Sequence, residues 1–260
     1  MKTAFALLAF ALLFSGCGTT GAKTGFDPAS DAPTQRNPAA AEATRSVGEA
    51  YLAGGNLVAA LRELKKAELL NPDDPVTLFD IGLVYYYRGR YDQAVEYFQK
   101  AIRLKPGYAP AINSLGNTYS AMGEWDKAIE AYELIVEDAF YGTPHFALSN
   151  MGLAYYQKKD FAQAERHFLE ALKINPDFIN ALAGLGVLYI DQGRYEEAVV
   201  KLERAVRKEP KVAQLHFELG RAYRGLKDNV RAREEFSRAA ELAPDSPLAA
   251  DAQRELRNTP

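Results

Sequence analysis

The sequence predicts an all-α fold, a superhelical stack of six helix-turn-helix units closed by one further helix. Three observations predict it. Glycines recur at Gly48, Gly82, Gly116, Gly152, Gly186 and Gly220, spaced by 34, 34, 36, 34 and 34 residues. Tyrosine follows each by three residues (Tyr51, Tyr85, Tyr119, Tyr155, Tyr189, Tyr223) and alanine by twelve (Ala60, Ala94, Ala128, Ala164, Ala198, Ala232). Proline closes five of the six units, at Pro72, Pro106, Pro176, Pro210 and Pro244. Self-similarity at such a period marks stacked units, each with an apolar face that it cannot cover alone.

The chain opens differently. Lys2 precedes an unbroken apolar run from Ala4 to Phe14, and Ser15-Gly16-Cys17 follows. A cationic start, a short apolar run and small residues at its end read as a secretion signal over residues 1–16. The run is shorter than the ~20 residues that a membrane-spanning helix needs. Phe14-Ser15-Gly16-Cys17 resembles the lipobox of bacterial lipoproteins, with Phe14 where leucine is usual. That resemblance implies that Cys17 is acylated and becomes the new N-terminus, and Gly18 behind it implies sorting to the outer membrane. An ordinary signal peptide with an incidental cysteine is the alternative. Cys17 is the chain's one cysteine, so no internal disulfide can form. Several acyl chains on one residue would anchor it stably, at about 0.8 kcal/mol per buried CH₂. Residues 17–40, rich in Gly, Pro, Thr, Ser and Ala, read as a flexible linker, with Phe26 its one aromatic residue.

The units are expected at 41–74, 75–108, 109–144, 145–178, 179–212 and 213–246. Glycine on the first helix lets the second approach closely, and a large residue sixteen positions on packs into the gap: Leu64, Phe98, Tyr132, Phe168, Leu202 and Phe236. Gly55, Gly89, Gly123 and Gly193 mark the turn between the two helices, with Lys159 and Lys227 in their place in units four and six. Proline ends the second helix because it lacks the N–H and disfavours helix in the residue before it. This grid resembles the tetratricopeptide pattern. Residues 247–260 read as a final helix, polar outside, with a short tail.

Composition and motifs exclude several kinds of chemistry. With 31 basic and 34 acidic residues the net charge is −3, and no basic stripe is present to meet nucleic acid. His145, His167 and His216 fall at unrelated places in their units, so no metal-ligand spacing arises. Neither a phosphate-cradling glycine loop nor a nucleophile elbow occurs. The carboxylates mostly sit beside Lys or Arg on solvated helix faces. No enzyme activity, cofactor or small-molecule substrate is expected. Trp125 occupies the place of Tyr91, Phe161 and Tyr195 at the start of a second helix, which favours a structural role.

Solenoids of this kind bind along their concave face. By resemblance to the tetratricopeptide family, the second, fifth, ninth and twelfth residues of each unit face inward. Among these, Phe79, Leu83, Tyr86, Asn113, Asn117, Phe146, Leu153, Tyr156, Val187 and Ile190 are the candidate groove residues. The cationic clamp with which some relatives hold a C-terminal carboxylate is not reproduced. Apolar residues with a few amides suit an extended segment or a helix presenting apolar side chains. Packing against neighbouring helices is the competing reading. Unit three is 36 residues long with Phe140 in place of its closing proline, and Phe140 and Tyr141 in the lengthened connection are either a partner contact or filling for the gap.

Lipobox, linker, six units and the segment Glu137-Asp138-Ala139-Phe140-Tyr141 leading into Asn150-Met151-Gly152-Leu153 together resemble the pilotin-type lipoproteins of type IV pilus biogenesis. That resemblance implies a protein partner, an outer-membrane secretin or its periplasmic segment, and a lipid anchor at the periplasmic face of the outer membrane. An adaptor for cell-wall hydrolases or synthases is the rival reading.

Overall fold

Thirteen helices account for the regular structure of the described residues. The computed structural model describes residues 36–136 and 142–260. The signal, Cys17, Phe26, Phe140 and Tyr141 lie outside them. In chain order the helices are α1 (Pro38–Ala53), α2 (Leu57–Leu70), α3 (Pro75–Tyr87), α4 (Tyr91–Leu104), α5 (Ala109–Ala121), α6 (Trp125–Val136), α7 (Pro144–Gln157), α8 (Phe161–Ile174), α9 (Ile179–Asp191), α10 (Tyr195–Lys208), α11 (Ala213–Gly225), α12 (Asn229–Leu242) and α13 (Pro247–Asn258). No helix among the described residues is long and apolar enough to cross a membrane.

Local chemistry sets the helix ends. Asn37, Asn56, Asp74, Asp160, Asp228 and Ser246 each accept a hydrogen bond from a main-chain N–H of the first turn that they cap. The expected linker, running to residue 40, is corrected here. Helix α1 already begins at Pro38, because Asn37 caps it and proline suits a first-turn position whose N–H has no partner anyway. The turn inside each unit needs one left-handed residue. Lys159 and Lys227, with φ of 64° and 61°, adopt that conformation where the other units place glycine.

The recurring grid is the core. Ala60, Ala94, Ala128, Ala164, Ala198 and Ala232 are fully buried, and so, to within 2 %, are Leu64, Phe98, Tyr132, Phe168, Leu202 and Phe236. Each large residue faces the glycine sixteen positions earlier, so closely that a Cβ there would lie 2.4–2.8 Å from it. These are distances that real side chains do not tolerate, so glycine is required for the helices of a unit to meet. Between units, the backbones of the first helices α1, α3, α5, α7, α9 and α11 each come close to the next in line, whereas those of α2, α4, α6, α8, α10 and α12 stand apart and meet only through long side chains, as Lys65 of α2 meets Tyr97 of α4. The first helices therefore take the inner, tighter curve and line the concave face. Helix α13 sits against α12 and α11 as another first helix would. Its end is held by Arg233, which donates to the carbonyls of Leu256 and Thr259 at 2.8 Å each.

Candidate functional site

Three adjoining recesses run along the concave face from α3 to α9. The first, small, lies among Leu83, Tyr86, Tyr87, Ser114 and Asn117. The second, of about 300 Å³, is walled by Tyr86, Asn117, Trp125, Tyr132, Asn150 and Leu153 among others. The third, of about 290 Å³, takes in Asn150, Leu153, Tyr156, Phe168, Asn180 and Val187. Neighbouring recesses share walls, Tyr86 and Asn117 at one boundary and Asn150 and Leu153 at the next, so the three form one trough. No charged side chain lines any of them.

Of the residues expected in the groove, Leu83, Tyr86, Asn117, Leu153, Tyr156 and Val187 come together in this trough. Leu153 stands 48 % exposed on the wall that the second and third recesses share. Ile190 is corrected: it is buried, as part of the apolar core that also holds Leu185, Tyr189 and Val199, so its side chain is taken up by packing and does not line the trough. Phe79 serves packing, wedged against Phe98 at 5.8 Å and Tyr108 at 5.5 Å between ring centres. Phe146 is exposed but outside the trough, in an aromatic trio with His145 and Phe178. Asn113 also lies outside it, with Oδ1 buried and unpaired among the described residues.

Residues that the sequence reading did not place in the groove share a register. The sixth residue of units two to six is Asp80, Ser114, Asn150, Gly184 and Glu218, and Ser114, Asn150 and Gly184 line the trough. The sequence carries the signal as a polar or small residue recurring among apolar ones, one place beyond an inward position of the family pattern. A Cβ on Gly184 would sit 2.5 Å from the Phe168 ring, so its glycine keeps the floor of the third recess open. Trp125 combines its structural place with a wall of the second recess.

Polar groups stiffen the trough from beneath. Tyr132 donates to Asn117 Oδ1 at 2.7 Å, and Asn150 donates to the same oxygen at 3.0 Å. Tyr156 donates to Asp191 at 2.5 Å, joining units four and five. Burial, with the Asp191 carboxylate adding to it, pushes the Tyr156 phenol up to about 12. Charge is confined to the ends. At one, Asp80 is buried beside Glu49, Arg45 and Asp74, and burial together with the Glu49 carboxylate pushes its carboxyl up to about 7. At the other, Arg221 donates to Glu218 at 2.6 Å and faces Asp191 at 3.6 Å.

The histidines are structural. His167 stacks on Tyr155 at 5.2 Å, and burial lowers its pKa. His216 bridges Glu235 and the Pro210 carbonyl. No group of three or more His, Cys, Asp or Glu side chains that could hold a metal occurs among the described residues.

Comparison with known proteins agrees with this architecture. Profiles described as tetratricopeptide repeat match residues 29–75 and 184–247, residues 75–108, and residues 107–177 and 146–208. The crystal structure of PilW, described as a widely conserved type IV pilus biogenesis factor, superposes with a TM-score of 0.76 at 18% identity, over 84% of this chain and 100% of that one. The structure of PilF from Pseudomonas aeruginosa superposes with a TM-score of 0.71 at 21% identity, over 83% and 97%. Among curated proteins, subunit 3 of the anaphase-promoting complex of Schizosaccharomyces pombe is 28% identical over 107 residues, 41% of this chain. The chain spans about a fifth or less of the length of the curated relatives it matches. Matched by repeat profiles from residue 29 to residue 247 and folded as those repeats fold, the chain belongs to the tetratricopeptide repeat family, whose stacked units build extended concave surfaces for binding.

Proposed function

We propose that this protein is a non-enzymatic scaffold of the bacterial envelope, anchored by lipid on Cys17 at the periplasmic face of the outer membrane, whose groove takes a segment of an outer-membrane secretin during type IV pilus assembly. The observation that carries the docking part is the uncharged trough of three recesses with shared walls. A guest has no ionised side chain to desolvate there, and each apolar side chain of the guest that is fully buried contributes about 1.5–3 kcal/mol. Exposed Leu153 and the rings of Tyr86 and Trp125 supply the contact area, and the amides between them supply orientation. The fold shared with PilW and PilF supports the pilus assignment, and the apolar run ending at Cys17 supports the anchor.

Partners recovered from detergent-solubilised envelopes with the native chain and with Leu153→Glu test the reading. A secretin retained by the native chain and lost with the folded variant is the expected result. Cell-wall hydrolases or synthases in its place would end the pilus assignment and leave the scaffold. Labelled palmitate should enter the native chain and not Cys17→Ser; equal labelling, or none in either, would remove the anchor.

A further inference from the structure

Unit three departs from the others at two places on its second helix. Where the other units carry Glu63, Tyr97, His167, Lys201 and Glu235, α6 has Ala131, and where they carry Lys66, Lys100, Glu170, Arg204 and Arg238 it has Leu134. The larger residues help to close the outer surface. Tyr97 stacks on Tyr85 and accepts from Lys65 of α2, and His167 stacks on Tyr155. Ala131 leaves that space open. A recess of about 470 Å³ lies there, lined by Leu115, Tyr119, Lys127, Glu130, Ala131 and Leu134. It shares no residue with the trough and opens on the convex side, where Gln99 of α4 donates to Tyr119 at its margin. Leu134 stands 62 % exposed on its lip.

We infer that this face of α6 is the contact between two copies of the chain, related by a two-fold axis that sets the two α6 helices antiparallel. Lys127, Glu130, Ala131 and Leu134 fall at i, i+3, i+4 and i+7 and so share one face of the helix. The apolar knob, Leu134, thus lies one turn from the hole that Ala131 opens, and a two-fold contact needs knob and hole on the same patch. With the axis crossing near Glu130 and Ala131, Leu134 of each copy enters the other's recess, between the Tyr119 ring and the Lys127 stem. The rim is complementary to itself in charge as well. It carries one cation and one anion, and antiparallel pairing brings Lys127 to the partner's Glu130, twice over. Within one copy Glu130 forms no ion pair among the described residues, and Lys127 pairs with Glu124 at the surface, a contact that contributes little in water. A guest of a single charge sign would meet repulsion from one end of such a rim. The formal net charge of −3 opposes self-association only weakly. Both troughs stay open in the pair, because they lie on the concave side.

Sedimentation equilibrium of the full chain in a density-matched detergent, over rising protein concentration, tests the contact. A monomer–dimer equilibrium is expected for the native chain. Leu134→Lys, which restores the kind of residue that the other units carry there, should weaken it about tenfold or more, through the loss of one buried leucine contact per copy. Lys127→Glu and Glu130→Lys should each weaken it by setting like charges against each other. The double variant with both exchanges should regain native association, because reversing both signs restores the pairing. Circular dichroism establishes that each variant is folded. A native chain that stays monomeric at every concentration would overturn the inference. A dimer that Leu134→Lys leaves intact, or a double variant that associates no better than either single one, would overturn it equally, by placing the contact on another face.

Discussion

Gly116 and Tyr132 meet so closely that a Cβ on the glycine would lie 2.5 Å from Tyr132 Cε1. The same ring walls the second recess, and its hydroxyl donates to Asn117. The contact that closes unit three thus also sets the wall of the trough. Gly116→Ala should cost about 1–3 kcal/mol by overpacking, read as a fall in urea midpoint. Adding Tyr132→Leu should not recover that loss, since Leu64 and Leu202, at the same place in their units, come just as close to a Cβ on their glycines.

Lys159 and Lys227 hold left-handed conformations that cost a side-chain-bearing residue roughly 1–2 kcal/mol. Lys159→Gly and Lys227→Gly should each raise stability, by about 0.5–1 kcal/mol after glycine's greater freedom in the unfolded chain is counted. Melting temperatures of the two single variants and the double variant check this. Because the two turns lie in units four and six, the gains should add.

Asp80 gives stability a dependence on pH. Its carboxyl holds a proton up to about 7 in the folded chain, against an ordinary 3.8. A raised folded value means that the contribution is fully present below about 3.8 and is lost as the pH climbs through about 7. Asp80→Asn, which carries no charge to bury, should therefore be more stable than the native chain by about 1–2 kcal/mol at high pH. The advantage should shrink toward pH 4. Thermal melts of both proteins across that range measure the difference directly.

Tyr156 ties unit four to unit five through Asp191. Tyr156→Phe removes the hydroxyl and keeps the ring on the recess wall, so about 0.5–1.5 kcal/mol of stability should be lost. Binding of an uncharged peptide should change little. A large loss of binding would show that the hydroxyl, rather than the ring, is what the guest meets.

Much of this was legible in the residues. The glycine, alanine and large apolar positions had to recur because each performs the same contact in every unit, and Gly82 against Phe98 repeats as Gly220 against Phe236. The candidate site was less legible. Ile190 and Tyr156 hold the same place in their units, yet one is buried in the core and the other reaches the trough. Which way such a residue faces depends on the angle at which the next unit packs, and that angle is a property of the stack. Asn150 and Gly184 are hard to read from the sequence for a related reason. They lie where two units join, and one unit's pattern does not reveal what its neighbour brings to the joint.

A strictly periodic trough would offer a guest several equivalent berths, one per unit, and a long guest could slide among them. The sixth residues break that degeneracy: acid at Asp80, hydroxyl at Ser114, amide at Asn150, bare main chain at Gly184, acid again at Glu218. Moving a guest along by one unit would set it against the Ser114 hydroxyl or the bare main chain of Gly184 in place of the Asn150 amide. One copy of the protein should therefore seat one guest, in one register, although its architecture repeats six times.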